Sequence, residues 1–180
     1  MLTTKANDRD EGCFETIAPN ILYFGTPVAI VSSLNSDGTP NLAPISSFWA
    51  LGWTMILGLL SGTQTLDNLR ERPDCVVNLP SPEMWRAVER LAPLTGKNPV
   101  PAEKASKFRF EPDKFAAASL TPLAGELVCA PRVLECPVQL EAAVSQIRLL
   151  EGEDRLEQLG GGAAVELRAL QCFSVLRIVG

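Results

Sequence analysis

Short apolar segments separated by turn residues dominate the hydrophobic pattern in the first half of the chain. Residues 28–34 are apolar and β-branched, which is typical of a strand. The Asp37-Gly38 pair predicts a hairpin turn, so residues 41–48 are expected to pair back against that strand. Residues 54–60 form an apolar run typical of a buried strand, and residues 66–72 have the pattern of a short helix.

The second half of the chain predicts helices first and then more strands. Pro73 stops the first helix, and Ser81-Pro82-Glu83 is typical of the start of another, in which apolar residues recur at helical spacing over residues 84–91. A second short helix is expected over residues 102–108. The remaining strands are predicted over residues 75–79, 123–129, 133–144 and 163–179. The sum is a mainly β protein, an antiparallel core with inserted helices, most simply a small closed barrel.

Length, composition and charge narrow the class of protein. The 180 residues are 46% hydrophobic, which suits one domain, 1–180, in which residues 1–11 are charged and expected to be mobile. The net charge is −5 and no basic run exceeds two residues, so no nucleic-acid partner is expected. The longest apolar stretch, residues 48–60, is shorter than the roughly 20 residues that span a bilayer, so no membrane partner is expected either.

Cysteine and histidine usage limits the possible chemistry. The five cysteines are scattered and form no CxxC pair, which predicts no disulfide framework and no metal site. This cysteine usage is typical of a protein in the reducing cytoplasm. The chain contains no histidine, which excludes Ser-His-Asp and Cys-His catalysis. No catalytic side chain is assigned, and an enzyme of this composition is expected to use a cofactor for its chemistry.

The stretch between the apolar run and the first helix is a candidate phosphate site. Ser61-Gly62-Thr63-Gln64-Thr65 leads directly into the helical pattern. A hydroxyl-rich turn at a helix start presents unpaired backbone N–H groups, and the helix dipole adds partial positive charge there. The alternative is an ordinary capped helix, because Ser and Thr are common N-caps whatever they bind.

A second unusual segment precedes this turn. Residues 41–49, NLAPISSFW, combine a proline, two serines and two large aromatics. Pro44 removes a ladder donor and implies an edge, a bulge or a strand end, after which backbone groups could face the polar edge of a flat heterocycle. The alternative is a strand that ends in a loop, with Phe48 and Trp49 packed in the core, and for these two residues individually core packing is favoured.

Taken together, these segments resemble a known family. VAIVSSLNSDGTPNLAPISSF, followed by a strand, SGTQTLDNL and CVVNL, is similar to the flavin reductase-like, FMN-binding split-barrel proteins over residues 24 to about 140. The resemblance implies a six-stranded antiparallel Greek-key split barrel, a homodimer, and FMN bound near the subunit boundary.

The resemblance also implies which residues would contact FMN. The isoalloxazine ring would be lined by Ile45, Ser46, Ser47 and Phe48. The ribityl chain and phosphate would be held by Ser61, Thr63, Gln64, Thr65 and Asn68, with Gly62 permitting close approach of the backbone. Many relatives place Lys or Arg in the phosphate turn, whereas this chain has Gln64; the charge could come from Arg70, from Arg72 or from the helix N-terminus.

Other features are given ordinary structural interpretations. Gly160-Gly161-Gly162 lacks dinucleotide-site spacing and predicts a flexible turn. Cys75 and Cys129 lie in apolar runs and are expected to be inert core residues. A loose basic cluster is formed by Lys104, Lys107, Arg109 and Lys114. A solvated surface is the favoured interpretation of this cluster. The alternative is a binding site for the phosphate of a nicotinamide cofactor, or a contact to the FMN of the partner subunit.

Three functions follow as hypotheses. The first is an FMN-dependent oxidoreductase that takes hydride from NADH or NADPH and passes electrons to a small-molecule acceptor. The second is a non-catalytic flavin-binding or flavin-storage protein, since fold and cofactor do not fix activity. The third is a β-barrel that binds another anionic ligand.

Overall fold

A seven-stranded antiparallel sheet forms the centre of the protein. The computed structural model describes residues 26–150 and 161–174. The strands of the main sheet are β1 (Ala29–Leu34), β2 (Pro40–Ile45), β3 (Phe48–Leu51), β4 (Thr54–Leu60), β5 (Asp74–Leu79), β10 (Val138–Leu150) and β11 (Gly162–Ser174). Their order is β2-β1-β5-β10-β11-β4-β3. The predicted mainly β class is therefore confirmed.

Helices and short strands flank this sheet. One helix, α1 (Gln64–Glu71), joins β4 to β5, and the others lie between β5 and β10. The other short elements are a 3₁₀ turn (Pro82–Met84), α2 (Trp85–Leu91), β6 (Leu94–Thr95), β7 (Arg109–Phe110), α3 (Lys114–Ala118), β8 (Pro122–Leu123) and β9 (Arg132–Val133). Strands β6 and β7 pair in parallel, and β8 and β9 pair antiparallel. No helix in the described ranges is long and apolar enough to cross a membrane.

The two edges of the main sheet are consecutive in the chain. Only Ser46 and Ser47 separate β2 at one edge from β3 at the other. Strand β2 also contacts β4, whose Gly58 amide donates a 2.7 Å hydrogen bond to the carbonyl of Ser47 and so continues the β3–β4 pairing into the link. The sheet therefore curls until its edges meet. The sheet has seven strands, whereas the resemblance implied six. Residues 41–48, expected as one strand, are divided between β2 and β3.

The two larger of the three hydrophobic clusters lie on opposite faces of β1 and β2. Inside the barrel, Val31 and Val77 pack with Leu66 and Leu69 of α1, which contacts β1, β2 and β4. On the outer face, a second cluster with Ile30 lies under α2 and α3. Strand β1 is thus buried on both faces, which explains its nearly continuous apolar sequence.

Several local expectations were wrong. Residues 102–108 form successive turns rather than a helix, and the short helix lies further along, at α3. Residues 124–130 are irregular rather than a strand: a Cβ at Gly125 would lie 2.3 Å from the carbonyl oxygen of Val128, which only a tightly folded loop produces. Cys129 in this loop is exposed, whereas Cys75 is buried as expected. The mobility expected of residues 1–11 concerns residues outside the described ranges.

The junction between the sheet edges generates a stability prediction. A Cβ at Gly58 would lie 2.8 Å from the Cβ of Ser47, so Gly58→Ala is expected to lower the free energy of unfolding by about 1–3 kcal/mol. In the double variant Gly58→Ala/Ser47→Gly the colliding atom is absent. Urea titration should therefore show Gly58→Ala costing far less in the Ser47→Gly background than in the native protein. An equal cost in both backgrounds would mean that the contact across the junction does not limit position 58.

Candidate functional site: the turn that enters helix α1

The turn predicted as a phosphate site is a tightly capped helix start. Thr63 is the N-cap of α1: its Oγ1 accepts from the amide of Leu66 at 3.4 Å and donates to the carbonyl of Leu60 at 2.9 Å. The helix begins at Gln64, two residues earlier than the sequence pattern predicted. Ser61 is half-buried, and its amide donates to the carbonyl of Gly161 at 3.0 Å.

Gly62 is the exposed point of this turn. Its φ of +70° is one that side-chain-bearing residues rarely adopt, and a Cβ there would meet no atom within 4 Å. The backbone therefore has open space on that side, immediately before the free N–H groups of the first helical turn.

Of the three remaining predicted residues of this segment, Gln64 is half-buried, and Thr65 and Asn68 are buried. Thr65 and Asn68 are 3% and 2% exposed. The amide of Asn68 donates to Ser33 Oγ and Asn35 Oδ1, both at 3.0 Å, and accepts from Gln64 Nε2 at 2.7 Å. Asn68 thus ties α1 to β1 and to the following turn, and it reaches the candidate site through Gln64.

A loop that sequence reasoning did not single out covers one side of the turn. A Cβ on Gly96 would lie 2.7 Å from Asn41 Oδ1 and 2.9 Å from Cγ of Gln64, so only glycine fits between them. The next residue, Lys97, forms an ion pair with Asp67 in the first turn of α1. Lys97 therefore places a partly exposed cation beside the helix start.

A buried lysine lies behind the turn. Lys114 is 4% exposed, and its Nζ donates to Asn41 Oδ1 at 2.8 Å and to the carbonyl of Leu42 at 2.9 Å. Asn41 Nδ2 in turn donates to Thr65 Oγ1 at 3.2 Å. Burial lowers the pKa of Lys114 to about 8, against a partial opposing effect of the negative charge of Glu111. The expectation that this lysine belongs to a solvated surface cluster was wrong.

The second predicted segment lies at the far end of β2. Ile45 ends this strand and packs against the barrel core, Ser46 is half-buried, Ser47 is exposed, and Phe48 is buried at 8% exposure. Ile45 lies four residues along β2 from Asn41, roughly 13 Å at the usual rise of a strand. The structure thus brings the residues from Ser61 to Asn68 together around the start of α1, beside Asn41 on β2. Ile45 to Phe48 lie apart from them, from the other end of β2 to the start of β3.

The other candidate groups contribute little reactivity. Burial raises the pKa values of the Cys75 and Cys136 thiols to about 12, which keeps both protonated at neutral pH. Across residues 26–150 and 161–174, no cluster of cysteine and acidic side chains could hold a metal ion. Arg72, one suggested source of charge, donates to the carbonyl of Ser36 at 2.9 Å from the C-terminal end of α1.

Comparison with known proteins identifies the family. The model of the flavin reductase like domain family matches residues 21–161, so the chain belongs to this family. The Bacillus subtilis (strain 168) protein YdfE is 42% identical over 163 residues, which cover 90% of this chain and 76% of that protein.

Solved structures share the fold. Nitrilotriacetate monooxygenase component B from Bacillus cereus has a TM-score of 0.71 at 18% identity, over 93% of this chain and 85% of that one. Flavoredoxin of Desulfovibrio vulgaris (Miyazaki F) has a TM-score of 0.65 at 21% identity, over 89% and 76% of the two chains. The Streptomyces globisporus NADH:FAD oxidoreductase SgcE6 has a TM-score of 0.61 at 18% identity, over 84% and 76%. The expected split barrel is thereby confirmed.

Lys114 makes the stability of the protein depend on pH in a defined direction. Its pKa falls from 10.5 in the unfolded chain to about 8 in the folded protein. Between these values the unfolded chain binds more protons, so stability rises with pH there, by on the order of 3 kcal/mol in total. Between pH 7.5 and pH 10, the unfolding free energy of the native protein should increase relative to that of Lys114→Met.

The comparison between the two proteins removes the contribution of other titrating groups. The raised pKa values of Cys75 and Cys136 lower stability above about pH 9, because the unfolded chain then loses thiol protons first, but they do so equally in both proteins. Denaturant titrations at matched pH values measure the difference. A difference that stays constant over this range would show that Lys114 titrates normally.

Proposed function

We propose that this protein binds FMN at the turn from Ser61 to Thr65 and acts as an oxidoreductase. It accepts hydride from NADH or NADPH and passes electrons to a small-molecule acceptor. The observation that carries the proposal is the capped start of α1 beside the open backbone of Gly62, in a chain of the flavin reductase-like family. The NADH:FAD oxidoreductase among the structures of the same fold supports a nicotinamide co-substrate.

The residues of the turn fit a phosphate group. The first N–H groups of α1 and the positive end of its dipole favour an anion, and Thr63 holds the helix start in place. Gly62 leaves room for close approach, and Lys97 lies beside the first helical turn. In this proposal Ser61 and Thr65 contact the phosphate and ribityl chain directly, and Thr63, whose hydroxyl donates to the carbonyl of Leu60, contacts them through its backbone.

Gln64 and Asn68 support that arrangement from the side. Gln64 packs against Gly96 and donates to Asn68, which is fixed to β1. The hydrogen bond between Gln64 and Asn68 fixes the side of the turn that the ribityl chain would follow. Asn41 lies beside the turn, and the second predicted segment begins roughly 13 Å further along β2, at Ile45. A ligand with a polar group at each end would therefore contact both segments.

The segment from Ile45 to Phe48 would hold the ring. Ser46 and Ser47 form the link between β2 and β3, and in this proposal their side chains lie near the polar edge of the flat heterocycle, while the Ser47 carbonyl accepts from Gly58. Phe48 and Ile45 contact the barrel core and thereby fix the segment at both ends. The isoalloxazine, when bound, supplies the hydride-accepting centre; the residues of this chain bind it, orient it and shield it from water.

FMN titration of two matched glycine variants tests the site. Gly62 and Gly38 both have positive φ, +70° and +84°, and open space around a Cβ, so Gly62→Ala and Gly38→Ala should cost similar stability. Only Gly62→Ala places a methyl group where the phosphate approaches. Its affinity for FMN, measured by quenching of flavin fluorescence, should fall at least tenfold while Gly38→Ala binds normally. Equal affinities for the two variants would place the ligand elsewhere.

The same FMN-loaded protein distinguishes the activities. Anaerobic NADH or NADPH should bleach the flavin absorbance near 450 nm (about the usual band of the cofactor). A bound flavin that neither nucleotide reduces would instead support a flavin-storage protein. Chromatography of the ligand released by heat should give FMN; a dominant FAD peak would contradict the assignment, and failure to bind flavin would favour another anionic ligand.

A homodimer completes this proposal. Trp49 and Leu51 on the edge strand β3, with Trp53 in the turn after it, are 54%, 74% and 61% exposed, and such an apolar edge favours coverage by another subunit. Trp49 was expected in the core, but it lies on the outer face of β3, opposite Phe48. The four cysteines in the described ranges are free, which suits the reducing cytoplasm in which we place the protein.

Light scattering of two tryptophan variants tests the dimer. Trp49→Glu puts a charge in the β3 patch, whereas Trp85→Glu changes a tryptophan of similar exposure, 55%, on α2. We expect a dimer for the native protein and for Trp85→Glu, and a monomer for Trp49→Glu at micromolar concentration. A native monomer with FMN bound would refute the proposed assembly.

A further inference from the structure

The ammonium group of Lys114 is buried without a carboxylate at bonding distance, and the charge of Glu111 offsets its burial only in part. Its two hydrogen-bond acceptors, Asn41 Oδ1 and the carbonyl of Leu42, are neutral. None of the ion pairs within the described parts of the chain includes it. A cation withdrawn from water in this way is costly to bury, and an anion close by would offset that cost.

The other cations near α1 are already engaged. Lys97 pairs with Asp67, Arg70 lies 3.7 Å from the same carboxylate, and Arg72 binds a carbonyl at the far end of the helix. The turn from Ser61 to Thr65 has no basic side chain of its own. Of the two basic residues that are buried in the described ranges, Arg132 pairs with Glu126 and Glu141, whereas Lys114 has no carboxylate at bonding distance.

The hydrogen-bond directions from Lys114 to the turn are fixed by chemistry. Lysine only donates, so the atom of Asn41 that lies 2.8 Å from its Nζ must be the amide oxygen. The amide nitrogen, which only donates, then faces Thr65 Oγ1 at 3.2 Å. Thr65 therefore accepts from Asn41, and its own hydroxyl hydrogen must point away from Asn41.

We propose that Lys114 is a positioning residue for the FMN phosphate, acting through Asn41 so that Thr65 offers its hydroxyl hydrogen to the ligand, and adding positive charge behind the turn. This inference rests on the proposed FMN site. It assigns the buried network a role in binding, where a purely structural network would serve only to attach α3 and α1 to β2.

Asn41→Asp tests the direction of the hydrogen bonds. A carboxylate of the same shape accepts from both Lys114 and Thr65, so the hydroxyl hydrogen of Thr65 turns inward. The ligand-free fold should be kept, because the new carboxylate pairs with Lys114. FMN affinity should fall roughly 10- to 150-fold, the loss expected for one hydrogen bond to a charged group.

A double-mutant cycle separates this effect from the added negative charge. In the Thr65→Val background there is no hydroxyl to reorient, so Asn41→Asp should weaken FMN binding much less than in the native protein. Thr65→Ser keeps the hydroxyl and should bind FMN nearly as well as the native protein. Lys114→Met provides a second variant and should also weaken FMN binding, with little change in affinity for riboflavin, which has no phosphate.

The outcomes separate the inference from the function on which it rests. If the native protein binds FMN and Gly62→Ala weakens it, but Asn41→Asp and Lys114→Met bind FMN normally, the positioning role is wrong and the site stands. Fully additive effects of Asn41→Asp and Thr65→Val would also overturn it. If the native protein binds no FMN, both the function and this inference fail.

Discussion

The structure depends on the two-residue link between the edges of its sheet. Ser46 and Ser47 connect β2 to β3 so directly that the first and last strands of a seven-stranded sheet must approach each other. The Gly58–Ser47 hydrogen bond continues the β3–β4 pairing into this link, where a Cβ on residue 58 would collide with Ser47. Helix α1 then packs against β1, β2 and β4, and its polar start is held beside β2.

A buried polar network connects that helix start to the rest of the molecule. Asn41 on β2 is bonded to Lys114 from α3 and to Thr65 from α1, while Asn68 bonds α1 to β1. Buried networks of this kind are favourable only when every member has partners, and then they hold their groups in one arrangement. The turn from Ser61 to Thr65 is therefore preorganised by residues that lie beneath it, which is the property that a ligand site requires.

The sequence predicted much of the fold because local signals and burial agreed. The Asp37-Gly38 turn and the apolar runs located β1, β4 and β5 to within a residue or so. Prediction from the sequence failed where tertiary packing overrode the local pattern, as in the irregular loop around Gly125 and in the turns over residues 102–108. The turn at Ser61 was found from its hydroxyl residues, but Gly96, Lys97 and Lys114 were not assigned to the site. They reach it from distant parts of the chain, and no local spacing marks a lysine as buried.

The central claim is that the turn at the start of α1 binds the phosphate of a flavin. The most direct measurement is the ratio of the dissociation constants of riboflavin and FMN for the ligand-free protein, because the two ligands differ only in the phosphate. Two hydrogen bonds to a charged group contribute roughly 3 kcal/mol or more, so FMN should bind at least about 100-fold more tightly. Equal affinities would contradict the account, since the phosphate would then contribute nothing and the turn would be an ordinary capped helix start.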